Sequence, residues 1–193
     1  MNIKYRYSFL ISCHSKEPIE IKQTISNEMV TILSSIKKPS IKDSVVLSIP
    51  NEFRIMINSS DVGYIAWRYH VDGNVLPDDV FDYQVYNKQN KSKVIHNLNF
   101  DEIPKEKFID IIIKERNYLI SKRQAERILE KYKINKSLED LKFGDTIKLI
   151  PYQRFRIENK EIINSLKKND DYIDFKAMRG KEENFYTSKK INW

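Results

Sequence analysis

The sequence predicts an α+β fold: an antiparallel sheet packed by helices, with a helix hairpin and a smaller β-containing C-terminal portion. Three observations predict it. Apolar and polar residues alternate through much of residues 1–87, as half-buried strands require. Near Ala125 the apolar spacing changes to that of a helix face. The 193 residues, 40% hydrophobic and 32% charged, suffice for one sizeable core and would be cramped as two. The expectation is a single domain over 1–193, with a neutral, strand-rich sub-region 1–87 and a basic sub-region 94–193.

The elements follow in order. Ile3, Tyr5, Tyr7, Phe9, Ile11 and Cys13 share one face of a period-two pattern whose other face carries Lys4, Arg6, Ser8, Ser12 and His14, a first strand. Polar residues interrupt the apolar ones there, so the segment does not read as an export signal. Ser26 or Asn27 can cap a helix through about Lys37, with Met29, Ile32, Leu33 and Ile36 at helical spacing and Pro39 beyond its stop. Strands are expected at 45–49, 53–58, 64–71 and 80–86, punctuated by Pro50-Asn51, by residues 59–63 and by Asp72-Gly73-Asn74. Asp-Gly between β-like runs is a hairpin signal. Residues 87–93 are polar and read as a mobile loop.

Pro104 suits the first turn of a helix reaching about Leu119, and Ser121 can cap a second in which Ala125, Ile128, Leu129 and Tyr132 form an i, i+3, i+4, i+7 stripe. These two make the hairpin. A short helix at 137–141, a strand at 146–150, a helix at 158–167 and an extended run at 172–177 complete the reading; 179–193 is left unassigned. The expected core is Tyr7, Phe9, Ile11, Leu33, Leu47, Ile55, Trp67, Ile112, Leu119, Ala125, Ile128, Leu129 and Leu149.

Composition narrows the function. No apolar run approaches a membrane span, so no membrane partner is expected. One cysteine, Cys13, excludes an internal disulfide framework and a multi-cysteine zinc site, and a reducing cytoplasm is the expected compartment. Charge is divided unevenly: residues 1–87 hold 9 Lys+Arg against 10 Asp+Glu, net −1, and residues 88–193 hold 25 against 17, net +8. A charge-driven partner should therefore meet the second half. A coding bias toward Lys, Ile and Asn would produce part of the same excess.

Chemical motifs are few. His14, His70 and His96 are far apart, and the sequence-local zinc, nucleophile-elbow, P-loop and dinucleotide signatures are absent, so no cofactor or metal is expected. The segment His70-Val71-Asp72-Gly73-Asn74 resembles the His-x-Asp-Gly-Asn stretch of some His-Asn-His homing nucleases, which implies His70 as a base and Asp72 beside it. The resemblance covers five residues, and Tyr69 stands where many of those enzymes have a further histidine. A hairpin turn bearing a strand-end histidine explains the segment as well. Pro77-Asp78-Asp79 with Asp174-Phe175-Lys176 is a second candidate metal nuclease set, at a separation longer than such sites use. The segment from Ser121 resembles the first helix of a helix-turn-helix, but Leu129 falls where the turn wants glycine.

The strongest binding signal is aromatic and basic interleaving. Tyr152, Arg154, Phe155 and Arg156 are followed by Lys167 and Lys168, then by Phe175, Lys176, Arg179 and Lys181, then by Phe185, Tyr186, Lys189, Lys190 and Trp193. Cations neutralise phosphates and rings stack on unpaired bases, the recipe for RNA or single strands. The expected function is a non-enzymatic binding protein using Tyr152, Arg154, Arg156, Lys167, Lys168, Lys176, Arg179, Lys181, Lys189 and Lys190 to hold nucleic acid or an acidic protein partner. A bacterial or phage immunity protein or anti-defence inhibitor acting by docking is the alternative, and a metal-dependent nuclease with His70 as base the second. The same residues read equally as core rings with a soluble basic rim.

Overall fold

Runs of β-branched and aromatic residues, more than any helix-period stripe, set this architecture. The computed structural model describes residues 17–34, 43–77, 81–102, 106–142, 144–180 and 183–193. Of the described residues 49% are strand and 15% helix, a sheet-rich antiparallel protein. The first half supplies β1 (Ile19–Thr24), β2 (Met29–Ser34), β3 (Ser44–Ser48), β4 (Pro50–Ile57), β5 (Val62–Val71), β6 (Asn74–Val75) and β7 (Tyr83–Asn87). The second supplies β8 (Asn97–Asn99), β9 (Phe108–Glu115), β10 (Leu119–Ser121), α1 (Lys122–Lys131) and β11 (Thr146–Pro151). It ends with α2 (Tyr152–Glu158), α3 (Lys160–Leu166), β12 (Tyr172–Arg179) and β13 (Glu183–Lys190).

The strands form three sheets. The first has the order β1-β4-β9-β7, the second β10-β3-β2-β11, and the third β13-β12-β5-β6 with β8 also paired to β5. Every sheet combines strands from the neutral and the basic halves, so the charge boundary at residue 87 does not separate the sheets. The expected Asp-Gly hairpin is present: Asp72 (φ 49°) and Gly73 (φ 75°) turn β5 into β6. Two successive positive φ angles are what a two-residue turn matched to strand twist needs.

Two of the expected helices are strands. Residues 29–34 form β2, because Val30, Thr31, Ile32 and Leu33 are all buried and the strand is paired on both sides, to β3 and β11. Ser26 accepts from the Glu28 amide at 3.2 Å in a turn and caps no helix. Residues 108–115 form β9 between β4 and β7, with Ile111, Ile112 and Ile113 at 0% exposure. A strand covered on both faces shows neither alternation nor a stripe, and an apolar run of that length is ambiguous between helix and strand. The helix hairpin is therefore corrected to a strand followed by one helix, and Leu119 is a half-buried β10 residue. Residues 137–141 make only a turn around the buried Leu138. The helix expected at 158–167 is α3, and a helix that was not expected, α2, precedes it, the two separated at Asn159 (φ −125°, ψ 52°). Asn159 Nδ2 donates to Tyr132 Oη at 2.6 Å and to the Phe155 carbonyl at 2.9 Å, which holds that break against α1. The expected strand over 3–13, with Tyr7, Phe9 and Ile11, lies outside the described residues, as does Pro104.

Helix α1 has the expected boundary. Ser121 Oγ accepts from the Gln124 amide at 3.1 Å and the Gln124 side chain accepts in return from the Ser121 amide at 3.0 Å, a reciprocal capping box. Ala125, Ile128 and Leu129 are buried, and α1 and α2 lie against the second sheet. The first and third sheets meet through Phe53 and Phe175, edge to face at 6.1 Å, and through Tyr69 and Tyr83 at 5.7 Å. Each such ring removes large apolar area from water, on the order of 1.5–3 kcal/mol. Every core residue expected within the described segments is buried except Leu119, and buried residues from Ile19 to Trp193 form one continuous cluster.

Candidate nucleic-acid interface

Strand period two decides which side chains of the third sheet face away from that core. On β12, Ile173, Phe175 and Ala177 point inward at 0% exposure, so Tyr172, Asp174, Lys176 and Met178 point out. Antiparallel register extends each of them into a row. His70, Tyr172 and Lys190 make one row; Arg68, Asp174 and Ser188 the next; then Ala66, Lys176 and Tyr186; then Tyr64, Met178 and Asn184. Asn97 and Asn99 of β8 continue the last two beside Ala66 and Tyr64. Neighbouring rows are about 6.8 Å apart along the strands.

Ala66 is the small residue at the centre, and around it Tyr64, Arg68, Asp174, Lys176, Tyr186 and Ser188 line a shallow basin of 520 Å³. Tyr186 is 67% exposed, the largest fraction among the exposed large hydrophobic side chains described. Tyr172 stacks on the His70 ring at 4.0 Å with 16° between planes. Arg68 and Lys176 form no ion pair among the described residues. The acid on this face, Asp174, is engaged: Ser188 Oγ donates to it and His70 Nε2 lies 2.9 Å from its Oδ2, at an angle that makes no hydrogen bond. Lys190 reaches Asp170 at 3.3 Å in an exposed pair, which water and salt screen. Among the described residues the face thus offers rings and cations together with no helix packed over it.

The residues singled out in the sequence divide between this face and others. Lys176 and Lys190 belong to it. Lys189 pairs with Ile173 and so takes the opposite face of β13, while Arg179 lies at the strand end, 3.5 Å from Asp61 and 3.7 Å from Glu183. Lys167 and Lys168 are exposed after α3. Arg154 and Arg156 are on α2, where Arg154 Nε donates to Glu158 at 2.5 Å; that bond raises the guanidinium pKa and lowers the Glu158 carboxyl. Tyr152 is 2% exposed, its phenol pushed up by burial, and the Arg156 guanidinium sits 5.9 Å from its ring centroid. Phe155, Phe175 and Trp193 are core, the last donating Nε1–H to Asp171 at 2.9 Å. Lys181 lies outside the described residues.

Comparison with known family models, with curated proteins and with solved structures finds no match to this chain. The site is therefore read from its own geometry. His70 is 5% exposed beneath Tyr172, and Asp72 is on the turn, where its amide donates to Asp171 Oδ1 at 2.9 Å. Among the described residues no three of His, Cys, Asp and Glu are gathered so as to hold a metal ion. Asp78 and Asp79 lie outside the described residues. No described helix is long and apolar enough to cross a membrane.

Sequence reasoning passed over Arg68 and Tyr64. Both sit in the half whose net charge is −1, so a charge argument aimed at the other half leaves them out. The signal that finds them is local: Tyr64, Ala66, Arg68 and His70 alternate with Ile65, Trp67 and Tyr69, a strand whose exposed face is itself aromatic and basic.

Proposed function

We propose that this protein binds single-stranded nucleic acid, RNA in the first instance, across the outer face of the third sheet. The observation that carries the reading is the row Ala66–Lys176–Tyr186, where a cation with no ion-pair partner among the described residues lies between a small residue and an exposed ring, on a face that no described helix covers. Tyr186 supplies a stacking platform at the edge, and Tyr64 a second ring one row away. Arg68, Lys176 and Lys190 lie where a strand crossing the sheet would carry its phosphates, and Asn97, Asn99 and Asn184 offer amides to base edges. No reaction is assigned to the face; holding the strand is the function.

The test is fluorescence anisotropy with a labelled oligouridylate, a matched DNA single strand and a duplex, over a salt series. The single strands bind, affinity falls steeply with salt, and the duplex binds more weakly. Tyr186→Ala weakens the complex by about 1–3 kcal/mol, as loss of one stacking platform does. Lys176→Ala weakens it and flattens the salt slope by about one charge. Docking on an acidic protein would use the same cations but leave Tyr186 without a partner base. Absence of a salt-sensitive oligonucleotide complex, or unaltered affinity in Tyr186→Ala, overturns the proposal.

A further inference from the structure

A second set of cations converges away from this face, where the first and second sheets diverge. Register puts Thr31, Ser48 and Lys148 on one face of the second sheet, and Gln84 and Lys114 on one face of the first. Together with Glu28, Tyr86 and Arg116 they line a crevice of 310 Å³. Thr31 and Ser48 are buried at its base. Gln84 Oε1 accepts from Tyr86 Oη at 2.6 Å and from Arg116 Nη2 at 2.7 Å, fixing the guanidinium at the wall. Lys114 Nζ lies 5.2 Å from the Tyr86 ring centroid, a contact that leaves its charge in place. Glu28, the carboxylate at the rim, is already engaged by Lys91 Nζ at 2.5 Å.

We infer that this crevice binds the phosphoryl group of a small ligand, with Lys114 and Lys148 on either side of the oxyanion and the hydroxyls of Thr31 and Ser48 beneath it. Lys114 and Lys148, brought within Coulombic reach of one another around a half-enclosed space, repel, and a dianion relieves more of that repulsion than a single negative charge does. Burial also lowers the Lys114 ammonium pKa, with Lys91, Lys148 and Arg116 adding to the effect and Glu28 opposing it. An incoming anion reverses that penalty. The volume is at the small end of ligand pockets, roughly 300–1,000 Å³, which suits a phosphate monoester of few atoms.

The inference does not rest on the nucleic-acid face, and the experiment separates them. Inorganic phosphate and glycerol phosphate are titrated calorimetrically into the full chain, with sodium chloride at matched ionic strength as the blank. Wild type gives saturable heat with at least one of them, and which one binds tells free phosphate from a phosphate ester. Lys148→Met, at an exposed position that tolerates exchange, weakens the complex several-fold, and Lys114→Met, which keeps the aliphatic stem, weakens it roughly tenfold or more. Lys176→Ala on the third sheet leaves it unchanged. No saturable heat up to on the order of 10 mM, a regime of negligible small-ligand affinity, overturns the inference. So does undiminished affinity in both methionine variants, or equal loss in Lys176→Ala.

Discussion

The second and third sheets are both antiparallel, yet among the described residues helices cover one and not the other. In the second, Ile32, Leu47 and Ile147 form a buried row, and the sheet is packed by α1 and α2 through Ala125, Ile128, Leu129 and Phe155. In the third, the corresponding outward row is Ala66, Lys176 and Tyr186, and no described helix packs on it. A face that must be covered is uniformly apolar; a face that stays wet mixes cations, amides and rings. The rings on the bare sheet are therefore not leftover core. They are stable in water because each shares its row with a polar neighbour.

The comparison breaks first at its covered side. Phe155→Ala, at a site with 0% exposure, should cost about 3–5 kcal/mol in urea unfolding while leaving the oligonucleotide affinity of the folded protein unchanged. A parallel loss of affinity would mean that the helices, not the bare sheet, make the interface.

A smaller effect comes from the carboxyl at the end of β9. Glu115 is fully buried near Tyr69, Asp82 and Asp171, and burial raises its pKa from 4.5 to about 8 against the opposing hydrogen bond from the Asn117 amide. Its proton is therefore retained in the native state over a range where the unfolded chain has lost it. Native stability contributed by that proton is fully present below about pH 4.5 and falls as pH rises toward about 8, so the native state binds the extra proton throughout that window. Asp171, also raised by burial, acts in the same direction. Glu115→Gln, which keeps an acceptor for the Asn117 amide, should raise stability near pH 8 by on the order of a few kcal/mol and change it little below pH 4.5. Urea midpoints across pH measure this, and a flat difference between the two proteins contradicts it.

The smallest effect tests the frame of the covered sheet. Ser121→Ala removes one half of the capping box and should cost about 1 kcal/mol of stability, read as a lower urea midpoint, with no change at the third sheet.

What could be read from the sequence follows physical lines. Helix α1 was legible because its start and stripe are both local: Ser121, and Ala125, Ile128, Leu129 and Tyr132 at helical spacing. Strand β9 was not, since isoleucines buried on both faces erase the periodicity that distinguishes strand from helix. Lys176 and Lys190 were legible as basic residues near rings, but their face was not, because the side β12 and β13 turn outward is set by the pairing of β12 with β5 from the other half of the chain. Tyr152 and Tyr186 look alike beside their basic neighbours; only packing separates the buried ring from the exposed one. Arg68 was hidden by averaging charge over a half of the chain that the fold does not keep together.

On the proposed function, a nucleic-acid strand lies across the outer face of the third sheet. Two-dimensional amide NMR of the labelled protein during titration with oligouridylate tests it most directly. Saturable shifts should gather on Tyr64, Ala66, Arg68, Lys176, Tyr186 and Ser188 and spare α1 and α2. Shifts centred on Arg154 and Arg156 of α2, or none at saturating oligonucleotide, would contradict it.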